Sequence, residues 1–544
     1  MRHSRWLVPL AVMSAAATLG VFALQRAPRA QSEAPPRYAG PNILATGTVS
    51  ASGPVERTPE AMAANEALAP SGPVPAAALE VRPTMPKAQY EALKAAANAE
   101  SAVAKALGNS PVAETPNLTA VHFHGAKEGV IGVNEFPSDD DMDVSSTQVA
   151  QITNASLWVF NKSGTILGRH SLNALFGTAD FLGDVQILYD STWSRWVLTS
   201  DDFSSSSLWI GISTTSSANG GWIVYRVSGG GFGLPNFLDY PHLGMDQDAL
   251  LVTGNVFNNS GLSYLGTVAF AIPKARVYNG LGFTVPVFSL GLIDTLMPPV
   301  QLGAPFYGHF PADYFAVAAA GTGVSLYTMT NASTTPSMSG PAAIPSTNFS
   351  VPPSAVQPGC ANTIDTLDGR FQNACYQIPP SGGFTDGLLY CVHTTNLAGF
   401  PFPVWYAFNP STNTTAASGG FSFSATSDDF NPSIAADALG DIFVTETATD
   451  PTGSLKPMVL FGGALNGNPV ALNKAAPAGL SSVCLTGNSS PAATSPQRWG
   501  DYSATRFDPA TSPNGTAGSV IGWITNQRVA NGISWGTKIA KLRQ

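Results

Sequence analysis

The sequence has few charged residues and, over most of its length, almost no glutamate. Charged residues make up 11% of the 544 positions, and from residue 137 onward there are 24 Asp but a single Glu, Glu446. Helical proteins place many Glu and Lys on their solvated faces, so this scarcity argues against a helical fold. Gly (53) and Pro (43) are abundant instead. Together with the many turn-forming aspartates, they predict an all-β fold of short strands joined by turns.

The chain also lacks a tract of basic residues. The whole chain carries a net charge of −9, and no cluster of Lys and Arg interrupts its acidic half. Nucleic-acid binding needs such a cluster to neutralise phosphates. The sequence therefore predicts no nucleic-acid partner. It also has no Gly-x-Ser-x-Gly nucleophile elbow, no phosphate-binding loop and no dinucleotide fingerprint.

Cysteine is scarce too. The chain has four cysteines and no Cys-x-x-Cys pair, which argues against a zinc site. Cys375 and Cys391 lie symmetrically about a turn at 379–386, and could therefore face each other across a hairpin. That pairing would leave Cys360 with Cys484. Four buried free thiols are the alternative.

The first 30 residues are typical of an export signal. Arg2 and Arg5 precede an uncharged apolar stretch from residue 6 to 24. The stretch is long enough to be a membrane anchor if it is not cleaved, and no later segment could span a bilayer. The expected location is therefore secreted, periplasmic or at the cell surface, with membrane contact only through this segment. Disulfides persist in such compartments.

Residues 31–118 are rich in Ala and Pro and have no sustained apolar pattern. This composition predicts a mostly disordered linker. One part, residues 87–107, consists of good helix formers and is followed by Gly108, so a short helix is predicted there. Residues 119–544 then form the folded domain.

From about residue 130 onward, a unit of strand, aspartate-initiated turn and strand recurs. Its best copies carry their turn aspartates at Asp190, Asp246, Asp437 and Asp508. With three weaker units, the starts fall near residues 144, 184, 240, 306, 371, 431 and 502. This spacing predicts a single β-propeller of seven four-stranded antiparallel blades, with six or eight as alternatives. The protein is expected to be a monomer. The strand that closes the ring is expected at 130–133 or 149–152. Seven tryptophans are expected to pack between blades: Trp193, Trp196, Trp209, Trp222, Trp405, Trp523 and Trp535.

Several of these units resemble a family of exported bacterial β-propellers that are loosely similar to sialidases. The resemblance is carried by Leu188-Tyr-Asp190, Asp239-Tyr-Pro241, Asn431-Pro-Ser433 and, most specifically, Arg498-Trp-Gly-Asp-Tyr-Ser503. It covers residues 132–542 and implies export and a propeller fold, but no particular reaction. The Ser-x-Asp-x-Gly-x-Thr-Trp box of true sialidases does not occur in the chain.

Groups just before the inner strands of a propeller converge around its central channel, where ligand sites commonly form. The candidates at this face are Asp184, Asp239, His242, Arg370, Asp429, Asn431, Arg498 and Asp501. Two arginines among several carboxylates could bind a sugar acid or form structural ion pairs, and the second interpretation is favoured. Asp139, Asp141 and Asp143 alternate in a loop, where they could bind Ca²⁺ or form a solvated acidic loop. Ca²⁺ is the one cofactor that the sequence suggests.

The favoured function is non-catalytic binding of an extracellular glycan or protein at the channel face. The first alternative is an extracellular hydrolase or lyase acting on polysaccharide, with Tyr240 or Tyr502 as nucleophile and Glu446 as base. The second alternative is a structural spacer or adhesin.

Overall fold

The structure, a computed structural model, describes fifteen stretches of the chain and the statements below concern these alone. They are residues 40–51, 53–70, 82–107, 119–132, 137–228, 232, 236–258, 263–301, 310–345, 347–379, 382–464, 473–480, 484–485, 496–511 and 520–543. The predicted signal or anchor lies outside the described residues. Among the described helices, none combines the length and apolar character needed to cross a membrane.

The chain begins with short elements that precede the ring. These are β1 (Asn42–Ile43), β2 (Ala45–Ala51), β3 (Val55–Arg57), α1 (Pro59–Asn65), α2 (Lys87–Leu107) and β4 (Thr119–Lys127).

Seven antiparallel sheets follow in sequence order. Blade 1 contains β5 (Asp141–Val144), β6 (Gln148–Ile152), β7 (Ser156–Asn161) and β8 (Ile166–Ser171), followed by α3 (Leu172–Phe176). Blade 2 contains β9 (Leu182–Asp190), β10 (Arg195–Asp202), β11 (Ser207–Ser213) and β12 (Trp222–Ser228). Blade 3 contains β13 (Asn236–Met245), β14 (Ala249–Asn258), β15 (Tyr264–Pro273), then α4 (Lys274–Val277), and β16 (Phe283–Ser289). Blade 4 contains β17 (Leu296–Met297), β18 (Asp313–Ala319), β19 (Gly323–Thr330) and β20 (Ser337–Ile344).

The remaining blades complete the ring. A small hairpin of β21 (Ala355–Val356) and β22 (Thr363–Ile364) precedes blade 5, which contains β23 (Phe371–Gln377), β24 (Leu388–Leu397), β25 (Phe400–Asn409) and β26 (Thr414–Gly420). Blade 6 contains β27 (Asp428–Ala436), β28 (Ile442–Asp450), β29 (Leu455–Ala464) and β30 (Asn473–Leu480). Blade 7 contains β31 (Ala504–Phe507), β32 (Ile521–Asn531) and β33 (Ser534–Arg543). The predicted all-β, seven-bladed propeller is confirmed.

The aspartates that defined the repeat close the turns after the inner strands. Asp190 Oδ1 accepts hydrogen bonds from the backbone N–H groups of Thr192 (3.0 Å) and Trp193 (3.2 Å). Asp246, Asp437 and Asp508 accept equivalent bonds from the residues two to four positions on. A short side chain that bonds its own backbone favours a tight turn, which is why Asp recurs there.

The strand that closes the ring is not one of the two predicted. Strand β4 pairs antiparallel with β33 and becomes the outermost strand of blade 7, for example with Phe123 opposite Ile539. Residues 149–152 instead lie within β6, the second strand of blade 1, and 130–132 lie in a turn. Strand β4, which precedes blade 1 in the sequence, thus pairs with the last strand of the chain, and the outer edge of β33 is not left unpaired.

Residues 40–57 do not form the linker that their composition suggested. Strand β1 pairs with β20, β2 with β16 and β3 with β12, so each adds a fifth strand to the outer edge of a blade. Helix α2 has the bounds that the sequence predicted. The alternating Thr, Val and Ser of β2 suit a half-covered edge strand, and this signal was hidden by the surrounding Ala and Pro.

The core lies between neighbouring sheets. Between blades 2 and 3, for example, Leu188 and Val197 pack with Leu243 and Val252, all at most 5% exposed. Of the seven tryptophans, Trp196, Trp222, Trp405, Trp523 and Trp535 are fully buried and Trp209 is nearly so. The core assignment of Trp193 is wrong. It lies on the turn between β9 and β10, is 52% exposed, and donates from Nε1 to the Gln247 carbonyl (2.9 Å).

One of the two predicted disulfides is present. Cys360 and Cys484 form a disulfide that joins the hairpin before blade 5 to the segment after β30. Cys375 and Cys391 are buried free thiols. Cys391 lies opposite Ala374, and Cys375 opposite Tyr390, so the two cysteines are one position out of register. Their side chains therefore lie on opposite faces of the blade 5 sheet, and the predicted hairpin disulfide is wrong.

Candidate functional site

The channel face is the end of the ring at which the inner strands begin, and three of these strands carry the same β-bulge there. Residues 184–185 lie opposite Ser200, 240–241 opposite Gly254, and 431–432 opposite Glu446. The first residue of each bulge has a left-handed backbone: Asp184 (φ 48°), Tyr240 (φ 51°) and Asn431 (φ 52°). Asp and Asn tolerate this conformation, whereas for Tyr240 it is strained. A bulge re-aims the side chain it carries, which places these three residues at the channel.

Side chains connect the bulges of successive blades. Asp184 Oδ2 accepts from the Tyr240 N–H (3.0 Å), and the Asp184 N–H donates to Asn154 Oδ1 (2.8 Å). Asn154 Nδ2 donates to Asp139 Oδ2 (2.6 Å), and Asp139 Oδ1 accepts from the Asp501 N–H (2.6 Å). Blades 7, 1, 2 and 3 are linked in this way around the channel. Aspartates before the inner strands thus hold the ring together.

On the opposite side of the channel, Asn431 of blade 6 links its own blade to blades 5 and 7. Its Oδ1 accepts from Gln372 Nε2 (2.7 Å) in blade 5, and its Nδ2 donates to Asn526 Oδ1 (3.1 Å) in blade 7. Asp429, at the start of the same strand, is buried and accepts from Ser427 Oγ (2.6 Å) and the Phe423 N–H (2.9 Å). Burial raises the pKa of Asp429 to about 8.

Aromatic side chains fill the channel centre. The rings of Tyr240 and Tyr502 stack with centroids 4.9 Å apart, and the His242 ring lies edge-on to Tyr240 at 4.4 Å. Each tyrosine hydroxyl donates to a backbone carbonyl (3.1 Å), that of Asp501 or Pro241. Burial raises the pKa of both tyrosines well above the usual range and lowers that of His242 to about 3. The hydroxyls offered as nucleophiles are therefore neutral and already bonded.

The two predicted channel arginines form ion pairs with nearby aspartates. Arg370 donates from Nε (2.8 Å) and Nη2 (2.6 Å) to Asp368, and its guanidinium lies 4.9 Å from the Tyr240 ring centroid. Burial alone would raise the pKa of Asp368, but the charge and hydrogen bonds of Arg370 outweigh it, and the pKa is lowered. Arg498 makes the same two-pronged contact with Asp501 (3.1 and 2.9 Å). The favoured interpretation as structural pairs agrees with this geometry.

The string around Arg498 lies as expected at a blade boundary. Trp499 is buried, donates from Nε1 to Thr447 Oγ1 (3.2 Å), and lies edge-on to Phe430 with centroids 5.8 Å apart. Both partners belong to blade 6. A small cavity remains beside it, lined by Gln372, Asn431, Arg498 and Asp501 among others.

Residues 82–107, here called the docking segment, contact the channel face at blades 3 to 6, which the sequence interpretation missed. Arg82 is 8% exposed and forms an ion pair with Asp239. Its guanidinium lies 5.2 Å from the ring centroid of Phe237, 5.8 Å from Phe257 and 5.9 Å from Phe203. Its carbonyl accepts from Arg370 Nη2 (3.2 Å). The predicted site residues Asp239 and Arg370 therefore hold a residue of the same chain.

The rest of the docking segment crosses blades 4, 5 and 6 in order. Thr84 donates to Asp294, before blade 4. Lys94 donates to Thr366 Oγ1 (2.8 Å) and the Leu367 carbonyl (2.7 Å), and lies 3.3 Å from Asp365, before blade 5. Lys105 lies 2.6 Å from Asp428, at the start of blade 6.

Helix α2 docks with a polar stripe. Tyr90, Lys94, Asn98 and Lys105 recur at helical spacing and all contact the propeller. Ala104 approaches so closely that a Cβ at Gly399 (φ 85°) would lie 2.7 Å from its Cβ. A search for an apolar stripe could not detect this face. The helical spacing of the polar residues is the sequence signal that would have revealed it.

The acidic loop does not gather around one point. Asp141 Oδ2 accepts from the Ile187 N–H (2.9 Å) and its Oδ1 from Arg506 (3.0 Å), whereas Asp143 Oδ2 accepts from the Tyr189 N–H (2.7 Å). Asp139 contacts Asn154 and Asp501 instead, as described above. All three are buried, so the alternative of a solvated loop is wrong. Within the described ranges, no group of three or more His, Cys, Asp or Glu side chains could hold a metal ion. The calcium hypothesis stays a hypothesis.

Comparison with known proteins gives distant structural similarity. No family model and no curated protein matches the chain. A sialidase of Trypanosoma rangeli in complex with sialic acid aligns with a TM-score of 0.34 at 8% identity, over 80% of this chain and 60% of the sialidase. An apocarotenoid oxygenase mutant of Synechocystis gives 0.36 at 9% identity, over 65% and 77% of the two chains. The α-L-arabinofuranosidase Arb93A of Fusarium graminearum gives 0.34 at 9% identity, over 78% and 98%.

The chain thus spans 60% of the length of the sialidase. Similarities this distant carry no argument about what the chain binds or does. Its class, a seven-bladed β-propeller, rests on its own sheet topology.

Proposed function

We propose that this propeller is a binding module whose channel face takes a polypeptide ligand through a pocket for an arginine side chain. In the structure, the docking segment of the same chain occupies this face. The observation that carries the proposal is the environment of Arg82, whose guanidinium lies against Asp239 and three phenylalanine rings. An acidic group within an aromatic box is how proteins recognise a cationic ligand group.

The pocket has more hydrogen-bonding capacity than Arg82 uses. Arg82 Nε and Nη1 are buried without a partner among the described residues, and so are both carboxyl oxygens of Asp201. Burial, followed by the charges of Asp184 and Asp239, raises the pKa of Asp201 well above the usual range. An occupant that left so many polar groups unpaired would bind less tightly than one that matched them. This mismatch favours a displaceable occupant over a permanent part of the fold.

The manner of docking also supports the proposal. Strands β1 to β3 join the blades through backbone ladders, whereas the docking segment joins mainly through side chains that reach into the channel face. A helix that lies on a preformed surface is one of the ways in which peptide ligands are recognised. A polypeptide is therefore a better candidate than a glycan for this face. We further infer an extracytoplasmic location, since the Cys360–Cys484 disulfide would persist there.

A peptide-binding experiment tests the proposal. The full chain carrying Arg82→Ala and Lys94→Ala should release its own segment and bind a labelled peptide of residues 80–107, measured by fluorescence anisotropy. The wild-type chain should bind this peptide much more weakly, because its channel face is occupied. Retained far-ultraviolet circular dichroism of the variant would show that it is folded.

The matched control is the same peptide with Arg82→Ala. We expect it to bind at least about 30-fold more weakly, because truncating one partner of a buried charge pair costs 2 kcal/mol or more. Equal binding of the two peptides to the folded variant, or no binding of either, would overturn the proposal.

A further inference from the structure

A group of basic residues lies on one face of blade 7, on its strands β32, β33 and β4. We call it the blade 7 basic cluster, and it consists of His122, His124, Lys127, Arg528 and Lys538. In the pairing of β32, β33 and β4, Arg528 lies opposite Gly536 and Gly536 opposite Lys127. Asn526 lies opposite Lys538 and Lys538 opposite His124, with His122 opposite Ala540. The five side chains therefore share one face of the sheet.

The Arg528 side chain extends across the neighbouring strand β33. A Cβ placed on Gly536 would lie 3.4 Å from Arg528 Nη2, so the guanidinium passes over this glycine in the direction of Lys127. His122, His124 and Lys127 are exposed, Arg528 is half-buried and Lys538 is buried. The cluster is thus open on the side of the closing strand.

No carboxylate contacts any of these five side chains within the described part of the chain. Nine other cations of the structure do have an aspartate within 4 Å, including Lys162, Lys274 and Arg506. In the cluster, Arg528 Nε is buried without a partner and its Nη1 contacts the neighbouring Val529 carbonyl (3.4 Å). The adjacent Glu128 accepts from the Trp535 N–H (3.2 Å).

The cations also repel one another. Burial, then the charge of Lys538, lowers the pKa of His122 and His124, and burial, then Arg528, lowers that of Lys538. Gathering like charges in a chain of net charge −9 has a cost that a bound anion would remove.

We propose that the blade 7 basic cluster binds an anionic polysaccharide, through sulfate or carboxylate groups spaced along the polymer. The rows of cations follow the strands over several residues, which suits a repeating linear anion better than a single ion. Single-stranded nucleic acid would need aromatic side chains for base stacking as well. Phe123 and Trp523 lie on the other face of this sheet, where Phe123 packs against Phe160 of blade 1 (centroids 5.3 Å apart). Phe507, on the face of the cluster, packs against Phe443 of blade 6 (centroids 5.5 Å apart).

The test uses the full-length protein and heparin as the probe. We expect heparin binding at low ionic strength, with a log–log dependence of affinity on salt. Arg528→Gln with Lys127→Gln should lower the magnitude of that slope by about 2, roughly one per lost cation. The matched control is Lys541→Gln, on the same strand as Lys538 but over Trp523 on the opposite face, and it should bind like the wild type.

Since the double variant could be destabilised, Lys127→Gln alone, at an exposed position, serves as a second variant and should lower the slope by about 1. The proposal is overturned if heparin does not bind at about 50 mM salt, where screening between exposed charges is weak. It is equally overturned if both cluster variants bind like the control, or if single-stranded DNA and polyphosphate bind as tightly as heparin.

Discussion

The channel face and the blade 7 basic cluster differ in how their positive charges are paired. At the channel face, Arg370 and Arg498 each donate two hydrogen bonds to one aspartate, and Arg82 forms an ion pair with Asp239. In the cluster, Lys538 and Arg528 face other cations. A buried pair is specific to its partner, whereas unpaired cations at an edge are available to any anion of suitable spacing.

The ion pairs of the channel face stabilise the ring, whereas the basic cluster of blade 7 is a surface at which the ring can bind a ligand. Channel pairs such as Arg370–Asp368 are buried. Removing one partner therefore leaves the charge of the other buried and uncompensated. The cluster residues hold nothing in place by charge, so their removal should leave the fold nearly unaffected. The docking segment lies between these cases, because its cations are paired but belong to an element that we propose to be displaceable. Three predictions follow from this comparison.

The largest effect is expected for Asp368→Asn. It leaves the Arg370 guanidinium buried without its counter-ion, and should lower the free energy of unfolding by about 3–5 kcal/mol in chemical denaturation. The control is Asp180→Asn, a partly exposed aspartate 3.9 Å from Arg226, which should cost about 1 kcal/mol or less. Similar losses for the two variants would break the comparison.

The second prediction is that the protein becomes less stable as the pH rises from 6.5 to 8. Burial raises the pKa of Asp139, Asp140 and Asp143 to about 7 and that of Asp429 to about 8. A carboxyl group with a raised pKa contributes stability at pH values below its unfolded pKa, and this contribution is lost as the pH rises through the folded value.

His242 does not oppose the trend in this window. Its folded pKa of about 3 is lowered, so its stabilising contribution is already complete above pH 6.5. The expected loss is on the order of 1–3 kcal/mol, measured by denaturation at each pH. Asp429→Asn should flatten the dependence near pH 8. A stability that is constant or that rises from pH 6.5 to 8 would contradict the assignment of these carboxyl groups as protonated.

The smallest effect is expected for Lys538→Gln. This change removes a cation whose described neighbours Arg528 and His124 are also basic, so the free energy of unfolding should change by about 0.5 kcal/mol or less, or should increase. Thermal unfolding compared with the wild type checks it. A loss as large as that of Asp368→Asn would mean that Lys538 has a structural role, and the contrast between the two regions would not hold.

The sequence predicted the ring because its signals are local. Asp190 and Asp437 close turns within their own hairpins, and the bulge residues Asp184, Tyr240 and Asn431 occupy one position of the repeat. These features need no knowledge of distant contacts. The Cys375–Cys391 pairing failed because a shift of one residue in register reverses the face of a side chain.

What the sequence could not show is which distant segments meet. The closing strand β4 pairs with β33 more than 400 positions away, and Arg82 reaches Asp239 across 157 positions. Residues 40–107 looked like a linker because Ala and Pro dominate them, whereas their contacts are made by a few strand-forming and charged residues. Asp239 and Arg370 were correctly placed at the channel face, but their partner is a side chain from the supposed linker.

Hydrogen exchange of helix α2 in the full-length protein is the most direct test of the central claim, that the docking segment occupies the channel face. An isolated helix of this length is marginal in water, so its amides should be protected only while Lys94 and Lys105 hold it to the propeller. We predict slow exchange across α2 in the wild type and much faster exchange in the Arg82→Ala, Lys94→Ala variant, with β14 unchanged in both. Fast exchange of α2 in the wild type, or equal protection in the two proteins, would contradict the account.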